Sequence, residues 1–231
     1  MITAKAVIFD LDCTLLDTLD RFFEVFNELL EKYGKKTLTR DEFNGVYVAD
    51  TLDDLISGPS DTDREKKLHG FWLELLRRYR GGGPKAVLIP GVKDVLQNLS
   101  EMRVPIAVIT SCIVPAPELR EELSGFGLDK FVGVIVTAHD VIKDLEQGHH
   151  FSKVEILRLA AEKLGAEYKD CVVVGDYWND IRDGKAIGAK TIAVLTGKMR
   201  RGLLERYGPD VIIESVRDLP KVVKFEVQNQ R

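Results

Sequence analysis

The stretch Ala6-Val7-Ile8-Phe9-Asp10-Leu11-Asp12-Cys13-Thr14 places an apolar run directly before two aspartates spaced one residue apart and a threonine. Four consecutive apolar residues read as a strand buried on both faces, because a half-solvated strand would alternate apolar with polar. Runs of the same kind recur at 104–109, 132–136, 172–174, 191–194 and 211–213. Between them, residues 91–101 and 152–164 carry apolar side chains at helical spacing. In the second of these, Val154, Leu157, Ala161 and Leu164 are interleaved with Lys, Glu and Arg. Strands alternating with helices predict an α/β fold built on a doubly wound, Rossmann-like parallel sheet.

Residues 17–85 break the alternation, because they hold no such apolar run. Phe22, Phe23, Phe26, Leu29 and Leu30 predict one helix, and Phe71, Trp72, Leu75 and Leu76 another. The stretch ends in Gly81-Gly82-Gly83-Pro84, the punctuation of a hinge. The expected organisation is a core of residues 1–16 and 86–231 with 17–85 inserted as a small helical cap domain. The alternative is that these helices cover one face of the sheet.

With 231 residues, 45% of them hydrophobic, the chain can bury the core of one large domain or of one domain with an insertion. Its 33 Lys and Arg against 37 Asp and Glu give a formal charge of −4, which offers no global attraction for nucleic acid. Three cysteines without metal spacing exclude a disulfide framework. No apolar run approaches the roughly 18–20 residues of a membrane helix. The opening run is interrupted too soon, by Asp10, for a signal peptide. The expectation is a soluble cytoplasmic protein with neither a membrane nor a nucleic-acid partner.

In a parallel sheet, ligands bind beyond the carboxyl ends of the strands. The residues there are Asp10, Asp12 and Thr14, then Thr110 and Ser111, then Asp176, Asp180 and Asp183. A single aspartate at a strand end is usually a turn former or a helix cap. Two aspartate clusters at one edge call for more, because like charges persist where a cation or a proton offsets them. Carboxylates and backbone oxygens suit Mg²⁺, and a hydroxyl, a lysine and free N–H groups suit phosphate. The residue types therefore predict magnesium-assisted chemistry on a small phosphorylated metabolite.

D-L-D-C-T-L at 10–15, a strand ending in Thr110, a later lysine, and G-D-x-x-x-D at 175–180 resemble the four motifs of the haloacid dehalogenase superfamily. The resemblance spans 1–16 and 86–231, and the insertion resembles the helical cap of many members. It implies a phosphoric monoester hydrolase in which Asp10 is the nucleophile and forms an aspartyl-phosphate. Asp12 would then be the general acid and later the base, and Thr110, with Ser111 beside it, would contact the phosphoryl oxygens. A lysine would neutralise their charge. Mg²⁺ would be held by Asp10, the backbone carbonyl of Asp12 and Asp176, with Asp180 orienting ligands around it.

Two departures from the family pattern stand out. Ser111 replaces a frequent Asn, and the common Lys-Pro pair is missing. FSKVEILRLAAEKLG at 151–165 makes Lys153, at a helix start, the expected lysine, with Lys143 as its rival. The resemblance also leaves open a phosphomutase or other phosphotransferase. A 2-haloacid dehalogenase is disfavoured by the presence of Asp12 and of the Asp176–Asp180 pair. A non-catalytic binding protein would have been signalled by loss of Asp10 or Asp12.

Other conspicuous residues have plainer readings. Cys13, where Gly, Asn or Asp is common, reads as a passive loop thiol, the alternative being a redox-sensitive one beside the nucleophile, and Cys112 and Cys171 read as small core residues. His149-His150 is a loop pair without a third metal ligand. Lys198, Arg200 and Arg201 read as a solvated helix start, and Asp17 as a hinge residue and helix N-cap. Tyr177 and Trp178 either line a pocket or pack under the insertion. Phe22, Phe26, Tyr47, Trp72 and Tyr79 are candidates for contacting the leaving group and equally for packing.

Overall fold

The six apolar runs form one sheet: β1 (Ala6–Asp10), β2 (Ile106–Thr110), β3 (Val134–Thr137), β4 (Cys171–Gly175), β5 (Lys190–Val194) and β6 (Val211–Ile213). The strands lie in the order β3-β2-β1-β4-β5-β6 and every neighbouring pair is parallel. β1, β2 and β4 are buried at every residue, which is why they show no polar alternation in sequence. The computed structural model describes residues 1–81, 85–147 and 152–226.

After β1 the chain makes α1 (Leu19–Lys32), α2 (Arg40–Ala49), a single turn at Asp53–Ile56, and α3 (Arg64–Arg78). α1 buries Leu19, Phe26, Leu29 and Leu30, and α3 buries Leu68, Phe71, Trp72 and Leu75, in each case one stripe at three- and four-residue spacing. α2 has a shorter apolar stripe, missed in the sequence, and its start is fixed by a Thr39–Glu42 capping box. Rings from all three helices interlock: Phe26 lies 6.2 Å from Phe43 and 5.4 Å from Phe71, centroid to centroid.

Leu16–Asp17 pairs antiparallel with Val87–Leu88, so the inserted segment leaves and rejoins the rest of the chain through one two-stranded ribbon. These two-residue strands are too short to announce themselves in the sequence. Gly82, Gly83 and Pro84 of the expected hinge lie outside the described residues, as do His149 and His150.

The sheet carries helices on both faces. α4 (Val92–Glu101) and α5 (Ala116–Gly125) pack with Val7, Phe9 and Val108. α6 (Val154–Leu164) covers Ala6, Ile8 and Ala107 on the opposite face. α7 (Trp178–Ala186) lies beside α6, with Gly184 against Val173 and Thr191. Alternate residues of one strand thus feed two cores. Among the described residues no helix is long and apolar enough to cross a membrane.

Candidate active site

Parallel register puts Asp10 opposite Ile109 of β2 and Phe9 opposite Val174 of β4. The adjacent ends of β2, β1 and β4 therefore deliver Thr110, Asp10 and Asp176 to one edge. Beyond Asp10 the chain curls tightly. The Leu15 and Leu16 N–H groups donate to Leu11 O at 2.9 and 3.1 Å, and Cys13 sits in the left-handed region at φ 60°. That turn brings Asp12 to the same edge.

Lys153 Nζ donates to Asp10 Oδ1 at 2.7 Å and to Asp180 Oδ1 at 2.6 Å. Its backbone N–H donates to Asp183 Oδ2 at 2.6 Å. Asp180 and Asp183, three apart on α7, thus hold one lysine by side chain and backbone. Lys143 is exposed on the short helix Ile142–Glu146. Thr14 Oγ1 donates to Asp176 Oδ1 at 3.2 Å. Two glycines let these carboxylates fit: a Cβ on Gly175 would overlap the Asp180 carboxylate, and one on Gly197 that of Asp176.

One carboxylate oxygen each from Asp10, Asp176 and Asp180 lie within 4.8 Å of one another, all buried. Burial raises all three acids. Mutual repulsion adds to it at Asp10 and Asp176, and the opposing pull of Lys153 is not enough to reverse it. Asp10 is pushed up to about 7. Burial works against the Lys153 ammonium too, but Asp10 and Asp180 outweigh it and keep the group charged. Fully ionised, three carboxylates facing one ammonium would carry an excess of two negative charges on hard oxygen donors. That donor set fits a divalent cation.

Asp12 lives in a different environment. Arg80, two residues beyond α3, donates through Nη2 to Asp12 Oδ1 at 2.6 Å and to Oδ2 at 2.8 Å. Thr18 Oγ1 donates at 3.1 Å and Thr110 Oγ1 at 2.9 Å. Burial disfavours the carboxylate, but Arg80, Thr110 and Thr18 outweigh it and hold Asp12 below the usual carboxylate range. Arg80 also pairs with Glu122 of α5. The Thr110 hydroxyl expected on phosphate is thus bonded to Asp12. Sequence reading missed Arg80 and Thr18: nothing in the run Arg77-Arg78-Tyr79-Arg80 marks the last arginine as the buried one.

A cavity of about 150 Å³ opens above these groups. Asp10, Asp12, Thr110, Ser111, Lys153 and Asp176 line its floor, and Phe22, Tyr47, Trp72, Leu75, Leu76 and Tyr79 its roof. Phe26 is fully buried among the inserted helices and does not reach the cavity. Tyr177 lines it, whereas Trp178 stacks on Tyr207 at 5.3 Å. Burial raises the thiols of Cys13 and Cys112, the latter to about 12, so both are protonated at neutral pH. Asp17 accepts the Leu19 N–H at 3.1 Å, one residue before the N-cap position of α1. Arg201 pairs with the exposed Glu214.

The pyrophosphatase PpaX of Oceanobacillus iheyensis is 25% identical over 221 residues, covering 95% of this chain and 96% of its own length. That of Bacillus pumilus is 29% identical over 229 residues, covering 96% and 97%. Among solved structures, a haloacid dehalogenase-like hydrolase of Bacteroides fragilis superposes with a TM-score of 0.73 at 22% identity, over 94% of this chain and 99% of that one. A hydrolase of Pseudomonas syringae gives 0.69 at 23%, over 95% and 100%. Both share the fold. The family profile described as haloacid dehalogenase-like hydrolase matches residues 7–194, and the chain belongs to that family.

Proposed function

We propose that the chain is a Mg²⁺-dependent phosphatase of a small phosphorylated metabolite, working through an aspartyl-phosphate. In this reading residues 17–85 act as a cap over a core of 1–16 and 86–231. The carrying observation is the Asp10 carboxylate, buried at the sheet edge against Lys153 and clustered with Asp176 and Asp180, with Asp12 lining the same cavity. Asp10, Asp176 and the backbone carbonyl of Asp12 would hold the metal, with Asp180 orienting its surroundings. When bound, Mg²⁺ neutralises phosphoryl oxygens and favours the carboxylate form of Asp10.

A carboxylate oxygen of Asp10 attacks phosphorus in line, and the ester P–O bond breaks with its electron pair leaving on the alkoxide oxygen. Asp12, carrying a proton taken from solvent before the ester bond breaks, gives that oxygen its proton. Water then attacks the phosphorus of the aspartyl-phosphate, losing its proton to Asp12. The bond to Asp10 breaks, orthophosphate departs and both carboxyl groups are restored. Lys153 and the Thr110 hydroxyl, with Ser111 beside it, hold the phosphoryl oxygens. The inserted helices exclude water from the closed site.

Phosphate release from a panel of small esters, with and without Mg²⁺, tests this reading. The expected result is metal-dependent hydrolysis that falls at least about 10³-fold in Asp10→Asn. Equal release by the variant overturns it.

A further inference from the structure

The roof of the cavity differs in kind from its floor. Trp72 Nε1 donates to Asp53 Oδ1 at 2.8 Å, and Tyr79 Oη lies 3.2 and 3.1 Å from Thr18 O and Oγ1. Tyr177 Oη donates to Asp50 Oδ1 at 2.5 Å. The polar ends of three lining rings are thus engaged with protein groups, leaving carbon as their contribution to a ligand. Trp72 is stacked on Phe22, with centroids 6.2 Å apart and planes at 7°, and Leu75, Leu76 and the ring of Tyr47 complete the surface. Among the described residues lining the cavity, Lys153 is the one cation, and Asp10 and Asp180 already hold it. Arg80, paired with Asp12 and Glu122, is not among the residues that line the cavity.

An anion buried against such a roof would lose its water and meet no counter-charge. An apolar group gains by the same move. The size agrees, because about 150 Å³ accommodates a phosphoryl group with one small ring or short chain.

We propose that the leaving group of this enzyme is uncharged and apolar, a small alkyl or aryl alcohol, and that the chain discriminates against pyrophosphate, whose leaving group is a second phosphate. This inference rests on the phosphatase reading. It sets the chain apart from relatives named as pyrophosphatases.

The test compares kcat/KM, with Mg²⁺, for benzyl phosphate, methyl phosphate and pyrophosphate. The two esters release alkoxides of similar basicity, so their ratio isolates contact with the ring. Benzyl phosphate is expected to exceed methyl phosphate by about 10- to 100-fold, chiefly through KM, and pyrophosphate to be the poorest of the three. Leu76→Arg, which adds a cation to the roof, is expected to raise pyrophosphate turnover while lowering that of benzyl phosphate. A gain of activity of that sort cannot come from misfolding. Equal ester rates, or Asp10-dependent hydrolysis that prefers pyrophosphate, overturn this inference and leave the phosphatase reading standing. Absence of Asp10-dependent release from all three overturns both.

Discussion

Asp10, buried, and Asp12, partly buried, stand two residues apart and are both paired with a cation, yet they belong to opposite electrostatic regimes. Asp10 shares Lys153 with Asp180 and faces Asp176 as well, so acid outnumbers base and its carboxyl rises to about 7. Asp12 has both oxygens on Arg80 and two hydroxyls besides, and it is held below the usual range. Burial pushes both acids the same way; the partners decide the sign. The first cluster is built from strand ends and helix starts of the sheet. The second depends on Thr18 and Arg80, at the two ends of the inserted helices.

Removing Lys153 is the harshest way to test that contrast. Lys153→Met leaves three buried carboxylates without their ammonium. It is expected to lower the stability of metal-free protein by about 3–5 kcal/mol in chemical denaturation, with Mg²⁺ recovering part of the loss. Phosphatase turnover should fall by about 10³-fold. A variant as stable as wild type would mean that the Asp10 cluster is not the charge-excess site described.

The two clusters should also respond to pH with opposite signs. Asp10 has a native value above its unfolded one, so its contribution is fully present below about 4 and is lost as pH rises through about 7. For Asp10 alone the slope is about 1.4 kcal/mol per pH unit within that window. Metal-free protein should therefore lose stability from pH 4 towards 7, and saturating Mg²⁺ should flatten the trend. Asp12 is depressed, so its contribution is present above its unfolded value and is lost as pH falls through the native one. Arg80→Met should remove that acid-side loss and cost about 2 kcal/mol near neutrality, because Thr18 and Thr110 still serve the carboxylate. Melts across pH, with and without Mg²⁺, check both signs. A shared sign would merge the two clusters into one.

The same division explains what the sequence could reveal. Six apolar runs marked the six strands, because near-continuous apolarity is required of a parallel sheet covered on both faces. The register of those strands then brought Asp10, Thr110 and Asp176 together, and spacing on α7 placed Asp180 against Lys153. Each of those contacts follows from sheet geometry. Arg80 reaches Asp12 from 68 positions further along the chain, at the far end of the inserted helices, and its placement depends on how that segment packs over the edge. The same is true of the roof: Tyr47 and Phe26 are both aromatic and both helical, but only Tyr47 faces the cavity. One-dimensional periodicity gives a helix's buried side without saying which part of that side meets a ligand.

Cys13 lies where the two clusters part. The residue before it turns to Arg80, and the residue after it, Thr14, turns to Asp176. The left-handed backbone of Cys13, at φ 60°, sends them in those two directions. Glycine adopts that conformation without the strain of a Cβ, worth about 1–2 kcal/mol. Cys13→Gly also gives up a buried side chain and gains unfolded-state freedom, together of similar size. The net change in stability is therefore expected to stay below about 1 kcal/mol, with both pH signs intact. Because burial keeps the thiol protonated, phosphatase turnover should be unaltered as well. A more than tenfold loss of turnover at unchanged stability would put the thiol itself into the chemistry. A large loss of stability would show that its packing, rather than the backbone turn, keeps the two acids apart.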